Sequence, residues 1–189
     1  AALIANPKFI TGKINTNLIA EEFPEGFDPH VCPPENPNLL IAVVAAVHHS
    51  YQERAANISG QIEGQNTRIQ DEWVVILNDR IHPVTVGYRD FGFNIVVNGK
   101  TYALLTNWQL GESIFRGTFQ DGKICVQIEQ QGLGYRLIHR GSQNDILVLN
   151  KGTARFNELM PDKHTPDTSK KLLSPMPGLL VSIAVTRGQ

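Results

Sequence analysis

The sequence predicts a mainly β member of the α+β class, in which an eight-stranded antiparallel barrel surrounds a long central helix. About eight short apolar segments follow one another between residues 72 and 150 at roughly ten-residue spacing, which is typical of an antiparallel meander. The dipeptides NG at 98–99 and DG at 121–122 are strong hairpin signals. The segment LLIAVVAAV at 39–47 is apolar on nearly every side and needs burial all round. A helix inserted into the barrel would bury this apolar segment on all sides and would fill the interior of the barrel.

The helix is predicted over residues 37–56. Asn36 is a suitable N-cap, and Pro37 fits the first helical position. A helix of this size is about 30 Å long. Its second half, HHSYQERAAN, is polar and should extend out of the barrel into solvent. Because adjacent helical residues point in different directions, His48 and His49 cannot easily share a metal, and a surface or boundary role is expected for both.

The strand-rich part fits either a sandwich or a barrel, and a barrel is favoured because it leaves no unpaired edge. A barrel of eight strands ordinarily has room only for its own side chains or a small ligand, so enclosing a helix requires small inward residues. A short helix is predicted at 151–161, where Pro161 ends it. The polar stretch 162–173 is a predicted linker, and residues 179–185 predict one further strand.

Composition excludes several classes of function. The chain has 189 residues, a formal net charge of −1 and a pI near 6.7, so it lacks the field that attracts nucleic acid or anionic lipid. The apolar run at 39–47 is much shorter than the roughly 20 residues of a membrane span. Cys32 and Cys125 lie far apart, and a reducing compartment is expected.

The sequence predicts no catalytic or metal site. It contains no phosphate loop with a lysine and no cysteine pair at metal spacing. The acids Glu21, Glu22, Glu25 and Asp28 are more typical of a solvated surface than of paired catalytic carboxylates. The segment 57–71 is unusually long for a helix-to-strand connection, which leaves two interpretations, a floppy connector or a protein-contact loop.

Three stretches in order resemble one protein family. NPKFITGKINTNLIAEEFPEGF is similar to the end of a biotin carboxylase domain. ISGQIEGQNTRIQDEWVVILND with the following meander resembles the interaction domain of the propionyl-CoA carboxylase alpha subunit, and LMPDKHTPDTSKKLLSPMPGLLVSIAVTRGQ resembles the linker and first strand of a biotin carrier domain. The resemblance covers essentially the whole chain and is greatest to bacterial members, while alpha subunits for methylcrotonyl-CoA and other acyl-CoA substrates stay open.

The resemblance implies a domain organisation. It assigns residues 1–30 to the end of the biotin carboxylase domain, 31–161 to the interaction domain, 162–173 to a linker and 174–189 to the start of the carrier domain. Within the interaction domain the barrel covers 72–150. The chain is expected to lack both the ATP-grasp machinery and the Ala-Met-Lys-Met sequence that carries biotin.

The resemblance also implies a partner for residues 57–71, called the hook below. In the family the hook docks on the carboxyltransferase beta subunit. Ile58, Ile62 and Arg68 are the expected contacts, as two apolar anchors and one charge that fixes the register. The full set of candidate hook residues is Ile58, Ser59, Gly60, Gln61, Ile62, Glu63, Gly64, Gln65, Asn66 and Arg68.

The implied function is non-catalytic assembly within a biotin-dependent, ATP-dependent acyl-CoA carboxylase, a ligase. Biotin is expected on the carrier domain, and ATP, Mg and bicarbonate in the holoenzyme, with none of them bound by this chain. The expected location is the bacterial cytoplasm, or the mitochondrial matrix in a eukaryote. The alternative is a lipocalin-like barrel that binds a small apolar ligand. That alternative competes with the apolar helix for the same interior.

Overall fold

The computed structural model describes residues 2–60 and 69–161, together with residues 176, 178, 179, 181, 182 and 184. The chain divides into two compact units, residues 1–158 and residues 159–189. In the first unit the helices are α1 (Ala2–Ala5), α2 (Pro7–Ile10), α3 (Leu18–Glu22), α4 (Pro37–Asn57) and α5 (Lys151–Glu158). The strands are β1 (Glu72–Leu77), β2 (Arg80–Arg89), β3 (Gly92–Val97), β4 (Lys100–Thr106), β5 (Ile114–Phe119), β6 (Gly122–Gln131), β7 (Gly134–His139) and β8 (Ser142–Leu149).

The predicted fold class is confirmed. The strands pair in sequence order, each antiparallel to the next, and β1 pairs with β8 to close the barrel. At that seam Val74 lies opposite Leu149 and Leu77 opposite Ile146. Because closure pairs both outer strands, the sheet has no open edge.

Helix α4 fills the interior of the barrel. From Leu40 to Val47 every residue is at most 1% exposed, which requires cover on all sides of the helix. The helix brings small side chains to the axis, namely Ala42, Ala45 and Ala46. The strands meet them with many valines, and the strand valines in this core are Val75, Val84, Val86, Val97, Val126 and Val148. Small residues on both sides therefore make room for a helix in a barrel of this size.

The start of α4 follows its sequence signals. The Asn36 side chain accepts a hydrogen bond from the Leu39 backbone N–H at 3.2 Å, and Pro37 is the first helical residue. The helix extends to Asn57, one residue beyond the predicted end. Helix α5 ends at Glu158, three residues before the predicted end at Pro161.

One hairpin prediction is confirmed and the other needs a correction. In the β3–β4 turn, Asn98 and Gly99 have φ of 49° and 81°, as the dipeptide predicts. In the β5–β6 turn, the loop residues are Gln120 and Asp121, with Gln120 at φ 54°. Gly122 is instead the first residue of β6 and pairs with Phe119. The cross-strand register therefore moves this turn one residue earlier than the sequence predicts.

The barrel has two ends, which the strand directions define. The lower end contains the start of α4 and the turns at 78–79, 98–99, 120–121 and 140–141. The upper end contains the end of α4 and the connections at 90–91, 107–113 and 132–133. Both ends of the hook also lie at the upper end, because α4 finishes there and β1 begins there.

At the lower end, residues 28–36 are bound to the turn between β7 and β8. The Ser142 hydroxyl donates to the Cys32 carbonyl at 2.8 Å, and the Gln143 backbone N–H donates to the Pro29 carbonyl at 2.8 Å. Arg140 forms an ion pair with Glu35. The predicted linker before α4 is thus attached to the barrel wall. Cys32 and Cys125 are free thiols.

In the second unit, the described positions within the predicted strand 179–185 are residues 179, 181, 182 and 184, and they have no regular secondary structure. Most of the predicted linker 162–173 and much of 174–189 lie outside the described residues. Among the helices that the structure describes, none combines the length and apolarity needed to cross a membrane.

Candidate partner-docking site at the upper end of the barrel

Aromatic rings surround α4 where it leaves the barrel. His48 packs edge-on against Trp73 with ring centroids 4.6 Å apart, and His49 packs against Tyr88 at 5.3 Å. Further contacts join Tyr51 to Trp108 at 6.3 Å and Trp108 to Phe115 at 5.9 Å. We call this set the aromatic collar; its members are His48, His49, Tyr51, Trp73, Tyr88, Phe93, Trp108, Phe115 and Tyr135. The collar fixes the end of the helix relative to the strands.

Of the two adjacent histidines, His49 is more deeply buried than the sequence predicts. His49 is only 1% exposed, so the predicted surface or boundary role is wrong for it. The cause is the length of β2, whose Tyr88 covers this turn of the helix. His48 is half-buried, as a boundary residue. Within the described residues, the Nδ1 atom of His49 and the Nε1 atom of Trp73 are buried without a hydrogen-bond partner.

His48 is neutral near physiological pH. Burial, reinforced by repulsion from His49, lowers the pKa of His48 from 6.5 to about 4. Its Nδ1 atom lies 3.0 Å from the Tyr135 hydroxyl oxygen. Burial also raises the pKa of Tyr135 to about 12, so the phenol keeps its proton and can donate it to the neutral imidazole. The pair is a structural contact between α4 and β7.

The β2–β3 hairpin is attached to the last turns of α4. The Tyr88 hydroxyl donates to Glu53 Oε2 at 2.7 Å. Burial, followed by the bond to Glu53, raises the pKa of Tyr88. The Asn57 side-chain amide donates to the Glu53 carbonyl oxygen at 2.9 Å. Glu53 therefore joins the hairpin to the residue at which the hook begins.

A cleft of about 320 Å³ lies where the chain returns from the hook to β1. His48 and Gln52 line it from the helix, and Trp73 lines it from β1. The remaining lining residues are Ile69, Gln70, Val148, Leu149, Asn150 and Thr153. The described part of the returning segment therefore runs beside the β1–β8 seam.

The predicted hook residues are only partly within the described chain. Ile58 is 54% exposed and has an extended backbone, while Ser59 and Gly60 are exposed. Gly60 has φ 87°, a conformation that suits glycine. The other predicted hook residues lie outside the described residues; they are Gln61, Ile62, Glu63, Gly64, Gln65, Asn66 and Arg68. Across the described ranges, no group of three or more His, Cys, Asp or Glu residues could hold a metal ion.

The helix-in-barrel fold and its upper end correspond to a known family. The family model described as "Propionyl-coenzyme A carboxylase BT domain" matches residues 40–163. The chain belongs to this family. The matched range contains all eight strands of the barrel, α5 and α4 from Leu40 onward, which includes the fully buried residues Leu40 to Val47.

The relatives of this BT domain are longer proteins from bacteria and animals. The chain is 33% identical over 190 residues to the propionyl-CoA carboxylase alpha chain of Ruegeria pomeroyi, covering 100% of this chain and 28% of that protein. It is 26% identical over 196 residues to the mitochondrial alpha chain of Homo sapiens, covering 98% and 26%. It is 23% identical over 201 residues to that of Caenorhabditis elegans, covering 98% and 28%. The chain thus spans little more than a quarter of each relative.

Sequence reasoning missed part of the upper end of the BT domain. It did not single out Tyr88, Glu53 or Phe91. Phe91 is 88% exposed at the tip of the β2–β3 hairpin. The signal was present, because a phenylalanine in a two-residue connection between strands cannot be buried by either strand. The Tyr88–Glu53 contact had no such signal, since it joins residues 35 positions apart.

Proposed function

We propose that this chain is the non-catalytic assembly domain of a biotin-dependent acyl-CoA carboxylase alpha subunit, with propionyl-CoA as the acyl substrate. Its role is to dock the biotin carboxylase and carrier domains of the same subunit onto a carboxyltransferase beta subunit. The observation that carries the proposal is the family match over residues 40–163, which spans the closed barrel. Relatives named propionyl-CoA carboxylase alpha chain support the choice of substrate.

The hook is the proposed docking element. Ile58 supports this role because it is 54% exposed directly after the last residue of α4. An exposed isoleucine beside a fixed helix end gives a partner an apolar anchor at a defined position. Ile62 and Arg68 are the further proposed contacts, on the strength of the sequence alone.

Assembly has a physical rationale in a carboxylase of this type. Biotin on the carrier domain must reach two distant active sites, where ATP, Mg and bicarbonate are used at one and the acyl-CoA at the other. Tethering makes each encounter intramolecular and raises the effective concentration of biotin. A domain with a filled core can hold the two enzymes at a fixed separation, and residues 162–173 are the proposed linker to the carrier domain. The proposed location is the bacterial cytoplasm or the mitochondrial matrix.

The lipocalin-like alternative is not favoured. A lipocalin needs a free interior for its ligand, whereas α4 occupies the interior of this barrel with residues that are at most 1% exposed from Leu40 to Val47. A small apolar molecule would have to displace the helix.

The first test is size-exclusion chromatography with light scattering. The full alpha subunit is mixed with the carboxyltransferase beta subunit from the same organism. We expect a co-eluting complex that disappears when residues 58–68 are replaced by a short Gly-Ser linker. Circular dichroism of the variant provides the control, because the barrel should stay folded. Two separate peaks with the unchanged subunit at tens of micromolar would contradict the proposed function.

A further inference from the structure

The tip of the β2–β3 hairpin combines exposure with backbone strain. Arg89 pairs with Gly92, so Asp90 and Phe91 form the connection between the strands. Phe91 has φ of +60°, a left-handed conformation that residues with a Cβ rarely adopt and that turns normally fill with glycine or asparagine. Its side chain is nevertheless 88% exposed. Folding of the barrel gains nothing from an exposed aromatic ring in a strained position.

The β2–β3 hairpin contacts helix α4 three residues before its tip. Tyr88, three residues before Phe91, donates its hydroxyl proton to Glu53 and packs its ring against His49 and Phe93, with centroids 5.3 Å and 5.6 Å away. Tyr88 itself is 57% exposed. The same Glu53 accepts the Asn57 amide through its backbone carbonyl. The β2–β3 hairpin is therefore attached to the last turns of α4 at Tyr88.

We propose that Tyr88 and Phe91 form a second anchor for the protein that binds the hook, and that Phe91 inserts into an apolar pocket on that partner. This inference rests on the proposed function and extends its contact surface. Three residues with exposed side chains, Ile58, Tyr88 and Phe91, lie at the upper end of the barrel, and Tyr88 is bonded to α4 one turn before the hook begins. Exposed side chains at the same end of the barrel can bind one partner, with an aromatic side chain as the hot spot.

Leu133 provides a contrast at the same end of the barrel. It is also 88% exposed, at the tip of the β6–β7 hairpin. Its turn uses Gly132 for the left-handed position, at φ 56°, so the connection is unstrained. Strands β4 and β5 separate the two hairpins in one direction around the barrel, and β1 and β8 separate them in the other. Strain and attachment to the helix thus distinguish Phe91 from an apolar residue of equal exposure.

The test compares Phe91→Asn with Leu133→Asn in the full alpha subunit. Asparagine tolerates a positive φ, so Phe91→Asn removes the ring and relieves the strain. Binding of the beta subunit is measured by isothermal titration calorimetry, and unfolding of each alpha variant by differential scanning calorimetry. We expect Phe91→Asn to weaken binding at least about tenfold without lowering the melting temperature, and Leu133→Asn to leave binding within about twofold.

Each other result contradicts the inference in a recognisable way. Unchanged affinity for Phe91→Asn, with normal binding by the unchanged subunit, overturns the second anchor and leaves the proposed function standing. If Phe91→Asn and Leu133→Asn weaken binding of the beta subunit equally, the effect is common to exposed apolar hairpin tips. That result also overturns the second anchor. If Phe91→Asn lowers the melting temperature of the isolated alpha subunit, the tip contacts another domain of the same chain. If it changes the oligomeric state of the alpha subunit, the tip contacts a second copy. Either result overturns the second anchor. No binding by the unchanged subunit overturns both proposals.

Discussion

The Tyr135 hydroxyl oxygen lies 3.0 Å from Nδ1 of His48 and connects β7 to the enclosed helix just below the upper end of the barrel. Both partners are neutral, since burial lowers the pKa of His48 to about 4 and raises that of Tyr135 to about 12. The contact thus depends on keeping a proton off the imidazole. The stability contributed by the buried His48 should therefore depend on pH. The relevant range lies between the pKa of His48 in the folded chain, about 4, and its value of 6.5 in the unfolded chain.

The first prediction concerns acid stability. His48 binds its proton at about pH 6.5 in the unfolded chain and at about pH 4 in the folded one, so between these values the unfolded state binds more protons. The free energy of unfolding should fall as the pH is lowered from about 6.5 to about 4, by roughly 2–3 kcal/mol from this group, and this contribution should be constant above pH 6.5. Urea unfolding across this range should show a shallower pH dependence for His48→Gln.

Tyr135→Phe is the matched control for the acid effect. It removes the hydroxyl but keeps the buried imidazole, so the protein should lose about 1–2 kcal/mol at neutral pH and keep most of its pH dependence. If His48→Gln retains the full pH dependence of the unchanged protein, the buried imidazole is not its origin.

The second prediction tests how closely the helix fits the barrel. Ala45 is fully buried on α4, so Ala45→Leu should force side chains apart and destabilise the fold by about 1–3 kcal/mol. Ala55 lies on the same helix but is exposed, and Ala55→Leu should change stability by no more than about 0.5 kcal/mol. Chemical denaturation measures both. Equal effects of the two substitutions would show that the interior has spare volume.

The third prediction concerns the close contact between β3 and β4. A Cβ added at Gly92 would lie 2.1 Å from the Leu104 carbonyl oxygen, and backbone atoms in a paired strand cannot yield. Gly92→Ala should therefore destabilise the barrel by more than about 2 kcal/mol. At Gly87, in β2, an added Cβ lies 3.6 Å from the nearest atom, which is ordinary contact. Gly87→Ala should stay within about 1 kcal/mol of the unchanged protein, as measured by thermal unfolding.

The fourth prediction tests the hook. In the full alpha subunit, Ile58→Ala combined with Ile62→Ala should weaken binding of the beta subunit at least about tenfold, because both apolar anchors are lost. The melting temperature should change little, since Ile58 is 54% exposed. Ile81→Ala is the control, because Ile81 is 46% exposed near the lower end and should not affect binding. Unchanged affinity for the double variant would reject the hook assignment.

The barrel was predictable because its signals are local. Apolar segments of strand length, hairpin dipeptides and an N-cap before Pro37 each act within a few residues, and they agree with one another. The same reasoning failed where a long-range contact decides the outcome. The turn at 120–121 depends on how β5 and β6 align, and the burial of His49 depends on how far β2 extends beside the helix.

The proposed docking surface could be inferred from the sequence only in part. The length and composition of residues 57–71 left a floppy connector and a contact loop open, and the family resemblance favoured the contact loop. The position of Tyr88 beside Glu53 emerges only when strand and helix are brought together. The contacts proposed for individual hook residues would depend on a partner surface that this sequence does not encode.

The seam between β1 and β8 has a consequence for how the protein forms. Val74 must find Leu149, about 75 residues further along the chain, and only then is the apolar half of α4 sealed from water. The helix is synthesised before any of the strands that cover it. Such non-local closure makes folding slow. During synthesis, the apolar face of α4 therefore stays exposed until β8 has left the ribosome. Any interruption of synthesis between β1 and β8 leaves an incomplete chain that exposes apolar surface and is prone to chaperone binding or aggregation.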